Sequence, residues 1–354
     1  MARILIIRFS ALGDVAMTIP VIHSFATQYP QHEITVLSRA AWQPLFRGLP
    51  ANVRFFGADL KGIHHGWRGL NTLYGELKKL GFDAVADFHR VLRSEYLSLR
   101  FRLSGIPVAF ICKGRAGKKK LVRRRHKVFV PQKSSFERYA DVLKELGFPV
   151  SLDFASVYGR DGGSWADIEP VTGRKEGKKW IGIAPFAKHE GKIYPLEQME
   201  QVVAHFAADS CVTVFLFGGG EKERAVFDRW ANRYPSVRSM AGRLDMQQEQ
   251  NLMSHLDVML SMDSANMHLA SLVGTPVVSV WGATHPYAGF MGWHQSQADA
   301  VQLDMPCRPC SVFGQKVCWR GDYACLRNIR PEQLIGKVEE VLCRDNHSSK
   351  TERA

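Results

Sequence analysis

Three short segments of this chain hold residue types that could do chemistry together. Arg8-Phe9-Ser10-Ala11-Leu12-Gly13-Asp14 follows an apolar run at 3–7, Lys188-His189-Glu190-Gly191-Lys192 follows one at 180–184, and Asp263-Ser264-Ala265-Asn266 follows one at 256–262. Each reads as a buried parallel strand, a tight turn and a helix opening, which is where open α/β sheets hold ligands. A carboxylate at such a turn, Asp14, can take the proton of an attacking hydroxyl. It can also do no more than cap its helix, as Ser10 could. A lysine, Lys192 with Lys188 beside it, can steady the charge growing on a leaving phosphate without a metal, or it can be a plain surface lysine. The amides of Ser264, Ala265 and Asn266 at a helix N-terminus suit a pyrophosphate. Asp263, repelled by phosphate, or Ser264 can cap that helix, and His268 one turn on faces either a ligand or the core.

Two further clusters stand beside these. Gly218-Gly219-Gly220-Glu221 follows the strand-like run 211–217, so backbone could approach a nucleotide closely there, or the glycines make a simple turn. They are not a dinucleotide fingerprint, because Glu223 stands where its third glycine would fall, which argues against an NAD-dependent oxidoreductase. Cys307, Cys310, Cys318 and Cys325 are spaced C-x2-C-x7-C-x6-C. Four thiolates could close a zinc site, yet the second pair is wide for a knuckle, and reduced cysteines are common in cytosolic proteins. Zinc is left open there, and no metal is expected in the chemistry.

The elements that must position these residues follow a βαβ rhythm. At 354 residues the chain exceeds the usual single-domain size, so two α/β domains are expected, at 1–165 and 176–343. The polar stretch 158–179 reads as the linker between them, 136–146 as a helix, and 344–354 as a frayed tail. Two doubly wound domains facing across a cleft suggest the GT-B architecture. There is no apolar run of about 18 residues and so no expected membrane span. The start reads as a strand and not as a signal peptide, which places the protein in the cytoplasm. Lys plus Arg number 47 against 34 Asp plus Glu, a net charge of +13, and nine of the cations crowd into 113–127. That run is either a solvated loop or a docking site for anionic lipid headgroups or acceptor phosphates. Nucleic acid is disfavoured, since few aromatics interleave for base stacking.

Asp263-Ser264-Ala265-Asn266-Met267-His268-Leu269-Ala270, running on into Gly274-Thr275-Pro276-Val277-Val278-Ser279-Val280-Trp281-Gly282-Ala283-Thr284-His285-Pro286, resembles the signature of the family 9 glycosyltransferases. These are the ADP-heptose:lipopolysaccharide heptosyltransferases. The Ser-Ala-Leu-Gly-Asp start is similar to their N-terminal catalytic loop, and the likeness spans about 3–341. The resemblance implies a GT-B fold of two Rossmann-like domains, with acceptor in the N-terminal and nucleotide sugar in the C-terminal one. It gives Asp14 the role of base and Lys192 that of phosphate ligand. It gives Asp263 sugar hydroxyls, Glu221 the ribose, with Gly219 and Gly220 among the donor-binding residues, and the loop 241–244 through Leu244 the nucleobase. Ser10, Ala11, Gly13, Lys118, Lys120, Arg123 and Arg124 would meet the acceptor. Pro185, Phe186 and Ala187 depart from the hydroxyl residues common in that turn, and Ser264-Ala265 replaces a frequent Thr-Gly. The implied activity is inverting, metal- and cofactor-free transfer of a heptose-type sugar from an ADP-sugar to a lipopolysaccharide core or related glycolipid, peripheral at the inner membrane face. A UDP- or GDP-sugar donor, and a binding protein that lost turnover, are the alternatives.

Overall fold

The structure, a computed structural model, describes residues 1–159 and 161–351, with side chains described up to Arg344. The first sheet is wholly parallel, in the order β3-β2-β1-β4-β5: β1 (Arg3–Ile7), β2 (Glu33–Arg39), β3 (Val53–Ala58), β4 (Ala84–Asp87) and β5 (Val108–Phe110). Continuous apolar runs make these strands because helices cover both faces of such a sheet, and Ile4, Leu5, Ile6 and Ile7 are fully buried. Helices α1 (Leu12–Ala16) and α2 (Ile19–Gln28) follow β1 as two pieces and not as the one helix the sequence suggests. Pro20 at the start of α2 has no N–H to continue the ladder, and the Thr18 hydroxyl donates to the Val15 carbonyl at the break, 2.7 Å away. Helix α3 (Gly66–Lys78) links β3 to β4, and α4 (Leu92–Leu103) links β4 to β5. Leu5, Ile7 and Phe9 share a core with Leu70, Leu73 and Phe101.

Helix α5 (Arg115–Leu121) then precedes α6 (Ser135–Glu145), which Ser134 and Glu137 close with reciprocal hydrogen bonds. Beyond them lies α7 (Glu169–Thr172), and a second parallel sheet in the order β11-β10-β9-β6-β7-β8. Its strands are β6 (Lys179–Ala184), β7 (Val212–Leu216), β8 (Val237–Ser239), β9 (Val258–Met262), β10 (Val277–Val280) and β11 (Ala300–Val301). The helices between and after them are α8 (Leu196–Ala207), α9 (Glu221–Arg233), α10 (Met246–Ser254), α11 (Ala265–Leu272), α12 (Ala324–Arg327) and α13 (Pro331–Thr351). The tail expected to fray from 344 is therefore helical to Thr351, and 352–354 lie outside the described residues.

The chain divides into two compact units, one of Met1–Lys113 with Lys133–Val157, the other of Gly114–Gln132 with Tyr158–Ala354. Two expectations change. Residues 114–132 belong with the second sheet and not with an unbroken domain 1–165. The stretch 158–179 is more than a linker, because its apolar residues pack on the second unit. Ile168 is fully buried, Trp165 stacks on His255 at 4.0 Å, and Asp167 accepts a hydrogen bond from Asn251.

Candidate active site

In each sheet the strand order reverses once, and loops leaving the two strands at a reversal diverge and open a crevice at their carboxyl ends. In the first sheet the reversal lies between β1 and β4. The loop after β1 carries Arg8 and leads to Asp14 in the first turn of α1, and the loop after β4 carries Phe88 and His89. Arg8 is buried, and its guanidinium binds the Asp14 carboxylate (Nη2 to Oδ2, 2.8 Å) while donating to the Phe88 carbonyl at 2.8 Å. Burial opposes the charge on Arg8, but Tyr139, Asp14 and Asp87 outweigh it and raise its pKa. The same Oδ2 accepts the Ala11 N–H at 3.2 Å, so Asp14 does cap α1, and Tyr139 donates its hydroxyl to the Asp14 carbonyl. The carboxylate is thus fixed through one oxygen with its side chain 31% exposed, so the other oxygen can meet an incoming hydroxyl. His89 accepts the Phe9 N–H on Nδ1 and is held neutral, its pKa lowered to about 3 by burial and then by the Arg8 charge. Ser10 is half-buried and Ala11 exposed on the loop before α1, and Gly13 is half-buried in the first turn of that helix.

In the second sheet the reversal lies between β6 and β9, and there Lys192 and Asp263 meet (Nζ to Oδ2, 2.8 Å), 15% and 5% exposed. Thr284, after β10, donates to the same Asp263 oxygen at 2.8 Å. Gly314 has φ +80°, and a Cβ there would stand 2.7 Å from the Lys192 Cγ, so this glycine makes room for the lysine stem. Ser264 starts α11 without a side-chain cap, its hydroxyl 3.3 Å from that of Ser261, so the expected capping by Asp263 or Ser264 is not made and Asp263 serves Lys192 instead. Ala265 and Asn266 are half-buried in the first turn, and His268 is buried. Lys188 is exposed.

The other expected donor and acceptor residues lie on separate segments of the second unit. After β7 the Gly219 N–H is taken by Glu223 at 2.8 Å, with Glu221 exposed beside the exposed Gly219 and Gly220. Burial pushes the Glu223 carboxyl up and the Gly219 amide draws it down. Leu244 is buried, just before the Asp245 cap of α10. The basic run is no free loop. Lys118 is buried with Nζ 3.9 Å from the Phe290 ring centroid, so it is spent on packing, whereas Lys120 and Arg123 are exposed and Arg124, also exposed, stacks over Trp319 at 4.1 Å. Cys307, Cys310, Cys318 and Cys325 are free thiols, and among the described residues no group of three or more His, Cys, Asp or Glu is arranged to hold a metal ion.

Arg8, His89, Thr284 and Gly314 were not legible as site residues. Arg8 and Thr284 lie inside the quoted segments, but Arg8 reaches Asp14 only through the turn between them, and Thr284 serves a carboxylate 21 positions back.

The sequence profile of glycosyltransferase family 9 (heptosyltransferase) matches residues 71–318. The lipopolysaccharide core heptosyltransferase OpsX of Haemophilus influenzae is 26% identical over 285 residues, 79% of each chain. Among solved structures, E. coli ADP-heptose lps heptosyltransferase II superposes with a TM-score of 0.70 at 17% identity, covering 97% of this chain and 99% of that one. E. coli heptosyltransferase WaaC with ADP gives 0.69 at 17%, covering 96% and 99%. These likenesses carry the α/β fold with its two parallel Rossmann-like sheets.

Proposed function

Because the chain belongs to glycosyltransferase family 9, the heptosyltransferases, and is a glycosyltransferase, we propose that it moves a heptose from ADP-heptose, with inversion, onto a lipopolysaccharide core or related glycolipid at the cytoplasmic membrane face. The observation that carries this reading is the pair of anchored charges at the two strand reversals, Asp14 on Arg8 and Lys192 on Asp263. The names of its relatives support the sugar and the acceptor, and the neighbour solved with ADP supports the base.

In this mechanism Asp14 takes the proton of the acceptor hydroxyl as its oxygen attacks the anomeric carbon. The bond from that carbon to the diphosphate breaks on the opposite face, so configuration inverts, and ADP leaves. The charge developing on the diphosphate falls to the Lys192 ammonium and the first amides of α11, which need no metal. Lys192 exchanges one anion, Asp263, for another, and Asp263 turns to the sugar hydroxyls. Glu221 and the glycines before it take the ribose, and the loop through Leu244 borders the adenine. Ser10, Ala11 and Gly13 border the acceptor, with Lys120, Arg123 and Arg124 available to its phosphates.

Calorimetric titration of ADP, UDP and GDP without divalent ions, beside turnover of ADP-heptose, tests the proposal. ADP should bind selectively, Asp14→Asn should keep that binding and lose about 10²- to 10⁴-fold in turnover, and Lys192→Ala should weaken both. Preference for UDP or GDP would replace the donor, and full turnover by Asp14→Asn would remove the base.

A further inference from the structure

Helix α4 is apolar on two opposite faces. Leu97 and Phe101 enter the core, while Leu92, Leu99 and Leu103 are 78%, 53% and 76% exposed. At about 100° per residue, positions 92, 96, 99 and 103 fall within roughly 60° of one another, a single stripe along the outer side. A surface helix needs one apolar stripe to join its core, so the second is surplus to folding. Trp67, 63% exposed in the first turn of α3, widens it by packing edge-on against Tyr96, ring centroids 5.1 Å apart. Exposed Arg68, Arg93 and Arg102 border the stripe, and none of them is in an ion pair among the described residues. The one exposed acid of α4, Glu95, lies 3.9 Å from Arg90.

Isolated exposed leucines are ordinary, but three in line, joined to an indole and edged with arginine, have the composition of an interfacial helix. We propose that this face seats on an anionic bilayer, with Leu92, Leu99, Leu103 and Trp67 at the acyl boundary and the arginines among the headgroups. A second copy of the chain fits less well, because a self-complementary contact would set the same arginines against each other. The choice of a bilayer over another protein rests also on the lipid-linked acceptor proposed above. The segment 114–132 carries exposed cations as well, but charge alone loses its hold in high salt, whereas an inserted apolar stripe does not.

The test is co-sedimentation with phosphatidylglycerol-containing vesicles and with phosphatidylcholine vesicles, at physiological and at about 1 M salt, where screening acts within about 3 Å. The wild-type chain should prefer the anionic vesicles and keep a measurable share of that binding in high salt. The variant Leu92→Ser/Leu99→Ser/Leu103→Ser should lose at least tenfold in vesicle affinity while keeping its thermal midpoint, its ADP binding and its turnover of a lipid-free acceptor. Unchanged vesicle binding by the triple variant overturns the proposal. So does a wild-type dimer that the triple variant dissolves, since the face would then be a self-contact. Leucine-dependent vesicle binding by a chain without ADP-heptose turnover would sink the functional reading and leave this one standing.

Discussion

At the scale of single residues, each side chain proposed to react is held by an oppositely charged neighbour. Arg8 takes one Asp14 oxygen, and Asp263, itself held by Thr284, takes the Lys192 ammonium. A buried ion pair is a weak source of stability, since the desolvation of both charges offsets much of their attraction. Its value here is direction, and direction depends on space. Gly314→Ala would place a methyl 2.7 Å from the Lys192 Cγ and move the stem. A misplacement of about 1 Å can cost about 10²-fold in rate, so turnover should fall by at least tenfold. The positive φ adds backbone strain of its own, about 1–2 kcal/mol. Gly321→Ala supplies the control, because Gly321 has φ +78° and open space where its Cβ would go. Both variants should lower the thermal midpoint, and Gly314→Ala alone should lose turnover. Equal turnover in the two would show that Lys192 does not need that space.

At the scale of elements, what was legible was whatever local pattern dictates. The buried strands announce themselves as apolar runs, and the turns after β1, β6 and β9 stand out because polar residues interrupt those runs at helix openings. What was not legible depends on partners distant in sequence. Lys127 donates to the carbonyls of Cys307 and Pro309, at 2.8 and 2.6 Å, and Gln132 donates its N–H to Tyr287. Phe129 packs on His285 and Tyr287 at 4.9 and 4.8 Å. No periodicity in 114–132 points to residues more than 150 positions later, and its charge points toward solvent. Trp165 and Ile168 were hidden in the same way, two apolar residues in a stretch too polar to show a period. A fragment starting at 158 therefore lacks part of its own unit, and the carbonyls of Cys307, Pro309 and Tyr287 lose their donors. Such a fragment should melt well below the second unit of the full chain, and 114–132 joined to it by a flexible linker should restore most of the loss. A fragment as stable without the segment as with it would mean that these contacts are incidental.

At the scale of the whole molecule, the charge of +13 and the buried histidines both oppose acid, and they can be told apart. His89 and His285 are 8% and 7% exposed, with pKa values lowered from 6.5 to about 3 and about 4, in each case chiefly by burial. Each uses Nδ1 to accept a backbone N–H, from Phe9 and from Tyr287, so a proton arriving on that nitrogen would also break a hydrogen bond. In the unfolded chain both titrate near 6.5, so below that pH the unfolded state binds more protons than the folded one. Their contribution is complete above about 6.5 and is lost as the pH falls toward 4 and then 3. Growing positive charge on the surface acts in the same direction through self-repulsion, but salt screens it, whereas a buried imidazole is screened far less. The thermal midpoint should therefore fall between pH 7 and pH 5 even at about 1 M salt, and the double variant His89→Asn/His285→Asn should flatten that slope. A slope that disappears in high salt in the wild-type chain would assign acid sensitivity to surface repulsion and leave the two histidines without a part in it.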